Sequence, residues 1–242
     1  MEMFGRLVLI VGHSSDEQGA AGTKPLNQTE FVFNTELSKL VTKFGLPRGH
    51  LILTIFRPSR GRAGIEIAYQ KALKAEPDAI IELHFNAFNK QVRGTETLLS
   101  VKSDIVETNE RELAELVQSE ISSVFQRIGR QDRGLKFIER RGDRGWRSLS
   151  QVRTIPSILI EPFFGDEPND AALAVEKKEE LAKAIILAFE KWLTRRRGFQ
   201  KQLSDETSST EATNSIVKPK PTEEPDSTET QNLPEKTPLI EE

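Results

Sequence analysis

Short apolar runs alternate with amphipathic segments along the first 197 residues of this chain. The apolar runs are residues 7–12, 51–55, 79–85, 94–101, 135–138 and 156–164. The segments with helical spacing are 27–45, 64–78, 105–129 and a closing helix within 167–197. Short apolar runs predict buried strands, whereas apolar residues three and four apart predict helices. The alternation predicts an α/β fold, in which a single three-layer domain has a mostly parallel, twisted sheet and helices on both faces.

The end of the chain has a different composition. Residues 201–242 contain no aromatic residue and hold 4 Lys against 10 Asp and Glu, a net charge of −6, whereas residues 1–200 carry +3. Such a segment buries too little apolar surface to offset the entropy lost on ordering. We therefore predict a folded domain over residues 1–197 and a disordered acidic tail over residues 198–242, which could bind an unknown partner.

The composition also limits the chemistry. The chain has no cysteine, so a thiol nucleophile, a disulfide and a Cys-based metal site are excluded. A metal would need His, Asp and Glu ligands, and the histidines are His13, His50 and His84. The first residues do not resemble a signal peptide, and no apolar run reaches the ~18 residues of a membrane span. We expect synthesis in the cytoplasm without a signal peptide and no membrane span.

Polar side chains stand where three of the predicted strands end. The third strand closes with Glu82, His84 and Asn86 at alternate positions, which share one face. His13 follows the first strand and Glu161 lies near the end of the last one. Sites in parallel sheets form beyond the carboxyl ends of the strands. Two histidines and a carboxylate form a common catalytic zinc set, and a further carboxylate can move a proton.

Each of these residues also has a structural interpretation. His13 could be a turn residue, and His84 could be a core histidine with satisfied hydrogen bonds. Glu161 could form an ion pair with Arg153 or another arginine, because an unpaired buried carboxylate is costly.

Glu30, at the start of the first predicted helix, is a further candidate ligand. The pattern Asn27-x-x-Glu30 fits a capping box, and the pattern alone favours that interpretation. His50, in Leu-Pro-Arg-Gly-His, is interpreted as a surface turn and is left out of the site.

An ordered series of motifs resembles the zinc-dependent N-acetylmuramoyl-L-alanine amidases, which are cell-wall amidases with a phosphorylase/hydrolase-like α/β fold. The resemblance covers about residues 1–192. Its marks are a Gly-His turn with Asp and Gly-Ala downstream (12–20), a helix-opening Glu30, HFNA (84–87), GTET (94–97), DRGLKF (132–137), RTIPSILIEPFF (153–164) and Asp170. The resemblance implies one zinc ion per chain on His13, Glu30 and His84. It also implies that Glu161 is the catalytic residue.

The chain departs from the family pattern at two places. Ser14 and Ser15 follow the first histidine, where the family usually has Gly-Gly, and serine resists backbone conformations that glycine allows. Glu82 stands where the family often has a small polar residue. Glu82 could orient His84 or compete with Glu30 as a ligand, and we favour Glu30 as the ligand.

The resemblance implies hydrolysis of the amide between the lactyl group of N-acetylmuramic acid and the L-alanine of peptidoglycan. The stretch 127–153 holds nine basic residues against three acids. It could attract the anionic stem peptides, or it could be a solvated basic face. The candidate substrate-binding residues are Asn86, Arg133 and Arg153.

Two other functions are consistent with the same residues. One is another zinc hydrolase of similar fold, such as a carboxypeptidase or a deacylase. The other is a non-catalytic module that binds the wall or nucleic acid, and the intact set of candidate site residues makes it the less favoured of the two. An amidase of the wall without a signal peptide suits a phage endolysin that reaches peptidoglycan after release through a holin.

Overall fold

A six-stranded sheet forms the centre of the described part of the chain. This computed structural model describes residues 4–100 and 104–214, and it describes side chains for residues 4–100 and 106–198. The strands are β1 (Arg6–Val11), β2 (Leu51–Phe56), β3 (Ala79–Leu83), β4 (Thr95–Ser100), β5 (Asp132–Ile138) and β6 (Ser157–Glu161). Their spatial order is β2-β1-β3-β6-β4-β5.

The strand directions agree with the predicted mostly parallel sheet. Strands β1, β2, β3 and β6 are paired in parallel, as are β4 and β5. The pairing of β4 with β6 is antiparallel. Because β1, β3 and β6 are neighbours that run in one direction, Val11, Leu83 and Glu161 end at the same edge of the sheet.

Helices cover both faces of this sheet. They are α1 (Glu30–Gly45), α2 (Gly61–Lys74), α3 (Asp104–Val124), α4 (Trp146–Leu149), α5 (Pro168–Glu176) and α6 (Lys178–Asn214). In β1, Leu7 and Leu9 pack into a core with residues of α1, α3, α5 and α6, whereas Val8 and Ile10 pack with residues of α2. Successive side chains of a strand point to opposite faces, so a strand buried on both sides is continuously apolar. The predicted three-layer α/β domain is confirmed.

The last part of the fold differs in detail from the prediction. The predicted closing helix is two helices, α5 and α6, and the four-residue α4 is too short to produce a periodic sequence signal. Helix α6 continues to Asn214, into the segment predicted as a disordered tail, and no proline interrupts the sequence between Pro168 and Pro219.

The extent of the folded domain was predicted as residues 1–197. The chain divides into two compact units between Gln200 and Lys201, close to the predicted boundary. The boundary at residue 197 itself stays a prediction. Residues 215–242, which hold most of the predicted tail, lie outside the described residues. None of the described helices has the length and apolar composition needed to cross a membrane.

Candidate active site

His13, Glu30 and His84 bring three possible metal ligands together at the carboxyl edge of the sheet. Nε2 of His13 lies 3.1 Å from Oε2 of Glu30, and Nδ1 of His84 lies 3.0 Å from Oε1 of Glu30. One ligand atom from each side chain lies within 4.8 Å of the others. The fold therefore unites a strand end, a helix start and a second strand end that are far apart in the sequence.

Glu30 is held by the backbone of two loops and does not complete the suggested capping box. Thr29 is the N-cap of α1, since its hydroxyl accepts from the amide of Val32. The Glu30 carboxylate accepts hydrogen bonds from the backbone amides of Ala20 at 2.9 Å and Phe85 at 3.1 Å. These bonds direct both oxygens toward the histidines, so the geometry favours Glu30 as a ligand over Glu30 as a cap.

Glu82 contacts the opposite side of the His84 ring. Its Oε1 lies 3.2 Å from Nε2 of His84, whereas Nδ1 of the same ring faces Glu30. A carboxylate that accepts from one ring nitrogen fixes the tautomer and leaves the other nitrogen as a ligand. Of the two roles considered for Glu82, the geometry favours orientation of His84 over competition with Glu30.

The charge of Glu82 is compensated inside the protein. Glu82 is fully buried and forms an ion pair with Arg57, which follows β2 at the same sheet edge. The Tyr69 hydroxyl donates to its Oε2 at 2.6 Å. Arg57 was missed in the sequence analysis, although its position after a strand end was a usable signal. Tyr69 carried no such signal, because it lies inside a helix.

The three facing side chains fit a zinc ion. Zinc binds His nitrogen and carboxylate oxygen at about 2.0–2.2 Å, and tetrahedral ligation places neighbouring ligand atoms ~3.3 Å apart. The contacts of His13 and His84 with the two different oxygens of Glu30, 3.1 Å and 3.0 Å, are close to that value, and the three ligand atoms lie within 4.8 Å of one another. Gly19 lets the backbone approach this group, since its φ is +75° and an added Cβ would lie 2.6 Å from Oε2 of Glu30.

Glu161 ends β6 beside this group. Its Oε2 accepts from Nδ2 of Asn86 at 2.8 Å and pairs with Nη1 of Arg144 at 2.9 Å. An ion pair with Arg153 or another arginine was the structural alternative considered for Glu161. The partner is Arg144, from the loop before α4, and a loop conformation of this kind leaves no periodic sequence signal.

Glu96 is a second buried carboxylate in the same place. The antiparallel register of β4 and β6 sets Glu96 directly opposite Glu161. Glu96 accepts from Asn86 at 2.7 Å and from Arg133 at 2.7 Å, and it also pairs with Arg144. Glu96 was quoted only as part of GTET. A lone acid in a strand that is otherwise apolar or small was the signal that could have identified it.

The carboxyl groups of the site differ in acidity. Burial raises the pKa of Glu161 to about 8 and the Glu96 carboxylate adds to this effect, whereas the Arg144 and His84 charges oppose it. Burial also acts to raise the pKa of Glu96, but Arg144 and Arg133 hold the pKa below its usual range. For Glu30, burial acts to raise the pKa, but the contacts with His13 and His84 outweigh it and lower the pKa.

A cavity of about 900 Å³ opens over these groups. Its lining includes His13, Glu30, His84, Asn86 and Glu161. Arginines form much of the remaining wall and are Arg57, Arg62, Arg141, Arg144 and Arg147. A positively charged wall around a carboxyl and a possible metal site suits an anionic substrate.

The two arginines that were predicted to bind substrate, Arg133 and Arg153, have different surroundings in the structure. Arg133 stacks over the ring of Phe164 at 5.2 Å and donates to Glu96, so its guanidinium serves the carboxyl pair. Arg153 is exposed in the loop that leads into β6. That loop lies at the other end of β6 from Glu161, and the structure does not bring Arg153 to the cavity.

The surroundings of His50 and the backbone after His13 bear on two further interpretations. His50 is buried, not on the surface, since its Nε2 lies 3.0 Å from Glu190 and its ring packs edge-on against Phe189 of α6. In the loop after β1, His13 has a left-handed backbone, with φ of 65°, whereas neither Ser14 nor Ser15 has a positive φ. The two serines that replace the family's glycines therefore do not carry a left-handed conformation.

The fold and the cavity at the carboxyl edge of its sheet suit an α/β enzyme. A family model described as N-acetylmuramoyl-L-alanine amidase matches residues 7–191, and the chain belongs to this family. It is thus an enzyme of the amidase class that acts on peptidoglycan of the cell wall. No curated protein matches the chain.

Solved amidase structures share the fold. The catalytic domain of an endolysin that targets Clostridia difficile is 24% identical, with a TM-score of 0.63 over 76% of this chain and 96% of the other. An N-acetylmuramoyl-L-alanine amidase from Clostridium difficile 630 is 23% identical, with a TM-score of 0.63 over 78% and 97%. The amidase Ami1 from Mycobacterium smegmatis is 18% identical, with a TM-score of 0.62 over 79% and 97%.

Proposed function

We propose that this amidase depends on one zinc ion, held by His13, Glu30 and His84. Glu161 is the catalytic residue in this proposal. The observation that carries the proposal is the convergence of these four side chains, from both ends of the sequence, on one cavity. The bond that is cut is the amide between the lactyl group of N-acetylmuramic acid and L-alanine.

The residues of the site divide the work of hydrolysis. A bound zinc ion would supply a Lewis acid that polarises the carbonyl and acidifies water. Glu161 accepts a proton from the attacking water and transfers it to the leaving amine of L-alanine. The C–N bond breaks, and a lactyl carboxylate and a free amino group result. Asn86 orients the Glu161 carboxyl by its hydrogen bond to Oε2.

The arginines of the cavity wall fit the anionic stem peptide. Arg141 and Arg147 line the cavity and form no ion pair within the described residues. Their guanidinium groups are thus available to carboxylates of the substrate. They take the substrate-side role that was predicted for Arg133 and Arg153.

The experiment is a digestion of purified peptidoglycan with analysis of the released ends by mass spectrometry. The expected products are stem peptides with a free L-alanine amino terminus, lost after chelation and restored by zinc. Activity that survives complete metal removal would contradict zinc dependence. Intact muramoyl-alanine bonds beside zinc-dependent cuts elsewhere would instead support the carboxypeptidase or deacylase alternative.

Two variants separate metal binding from proton transfer. Glu161→Gln is expected to keep one zinc ion per chain and to lower kcat by about 10²–10⁴-fold, the usual contribution of a general acid–base residue. His84→Ala is expected to lose both zinc and turnover. Glu176→Gln, at an exposed site on α5, is the matched control and should keep both. An active Glu161→Gln enzyme would show that another group moves the proton.

The biological setting we propose is that of a phage endolysin that reaches the wall after release through a holin. The similarity in fold to an endolysin catalytic domain supports this setting. Expression in a susceptible host with and without a holin gene tests it. Lysis only in the presence of the holin is expected, and equally rapid lysis without it would refute the release route.

A further inference from the structure

We propose that Glu96 is a positioning residue for Glu161, so that the catalytic carboxyl works as one half of a carboxyl pair. This inference rests on the proposed role of Glu161. Glu96 is fully buried and does not line the cavity in the described part of the chain. It therefore acts on the reaction through other side chains and does not touch the substrate.

The geometry of the pair comes from the sheet. Directly opposite residues of an antiparallel pair have Cβ atoms about 4.5–5.5 Å apart, and Glu96 and Glu161 are such a pair. Two carboxylates on such neighbouring side chains repel each other, so their negative charge must be compensated by other groups. Asn86 donates from one nitrogen to both carboxyls, at 2.7 Å to Glu96 and 2.8 Å to Glu161.

Arg144 is the second bridge between the two carboxyls. One of its nitrogens, Nη1, lies 2.9 Å from Oε2 of Glu161, and the other pairs with Oε1 of Glu96. Asn86 and Arg144 thus both contact Oε2 of Glu161. This arrangement fixes the plane of the Glu161 carboxyl. Glu96 holds Asn86 and Arg144 in place, because both also contact its carboxylate.

The surrounding charges favour different protonation states for the Glu96 and Glu161 carboxyls. Arg133 on β5 donates to Oε2 of Glu96 and to no atom of Glu161. Glu161 faces the charged groups Glu96 from β4 and Arg144 from the loop before α4, and the titratable His84 after β3 lines the same cavity. Glu96 is consequently the permanent anion, and its charge makes Glu161 a stronger base than Arg144 alone would allow.

The test is the pH dependence of kcat for the zinc-loaded variants Glu96→Gln and Arg133→Met. Removal of the Glu96 anion should move the acidic limb to lower pH by about one unit, with kcat about 10-fold lower. Removal of the Arg133 cation should move the limb to higher pH. KM and zinc stoichiometry should stay close to wild type in both. An unmoved limb in Glu96→Gln or Arg133→Met would overturn the inference.

A control distinguishes positioning from stability. Glu110 is buried in α3 and accepts from the amides of Ser100 and Ser157, on the same two strands but outside the cavity. Glu110→Gln should lower the Tm without moving the limb, and a limb shift in this variant equal to that of Glu96→Gln would overturn the inference. If wild-type enzyme fails to cut, or if Glu161→Gln cuts normally, the proposed function itself is wrong. Arg133→Met keeps the test decisive if Glu96→Gln does not fold.

Discussion

Oε1 of Glu82 lies 3.2 Å from Nε2 of His84, on the side of the ring away from Glu30. A buried acid at this position would be destabilising on its own. Here it is paired with Arg57 and accepts from Tyr69. The orientation of one proposed metal ligand is therefore built into the core between β3 and α2.

Replacing Glu82 should weaken zinc binding without removing a ligand. Glu82→Ala leaves the His84 ring free to rotate and change tautomer, and the loss of such a partner lowers metal affinity about 10–100-fold. Competition with a fluorescent chelator measures the zinc Kd. Tyr69→Phe, which removes only one hydrogen bond to Glu82, serves as the matched control and should show a smaller loss. Equal zinc affinity in Glu82→Ala and wild type would exclude the orienting role.

In the pH profile of the wild-type enzyme, the acidic limb of kcat should lie at an unusually high pH. Glu161 must be ionised to accept a proton, and its pKa is raised from 4.5 to about 8 before any metal charge is added. A nearby dication lowers a carboxyl pKa, so the limb is expected between these two values. Activity rises with pH through this range, because the deprotonated form is the base. The kcat of the zinc-loaded enzyme across pH 4–9 measures the limb, and a midpoint at or below 4.5 would contradict the prediction.

The buried pair of Arg127 and Asp170 should matter for stability. Nη1 of Arg127 lies 2.8 Å from Oδ1 of Asp170, and both side chains are almost fully buried. Oδ2 of Asp170 accepts from the amides of Gly94 and Phe164. Arg127→Met leaves this carboxylate without its cation, which costs about 3–5 kcal/mol for a buried pair. Urea unfolding measures the difference.

A surface pair provides the comparison for that variant. Arg195 lies 3.3 Å from Glu112 with more than half of its side chain exposed. Arg195→Met should change the free energy of unfolding by about 0–1 kcal/mol, since solvent screens such pairs. Equal losses in Arg127→Met and Arg195→Met would show that burial does not set the energy of these contacts.

The arginines of the cavity wall should contribute to substrate binding. Arg147→Gln removes one unpaired cation and is expected to raise KM for stem-peptide fragments several-fold with little change in kcat. The effect should shrink at high salt, because ionic strength screens the attraction. Arg153→Gln, at the opposite end of β6, is the control and should leave KM unchanged. A higher KM in Arg153→Gln would instead restore its predicted substrate role.

Much of the fold and part of the site could be predicted from the sequence. His13, His84 and Glu161 were identified because strand ends are local features and parallel strands end at one edge. Glu30 was less certain from the pattern, since the same spacing fits a capping box. Its environment depends on Ala20 and Phe85, which only folding brings beside it.

The sequence by itself determined the alternation of strands and helices, and with it the edge of the sheet where the site lies. Only the tertiary structure decided that Glu96 faces Glu161, that Arg144 bridges them and that Glu82 contacts His84. The physical reason is range. Periodicity is a property of neighbouring residues, whereas strand register and the reach of a loop arginine depend on contacts between segments that are distant along the chain.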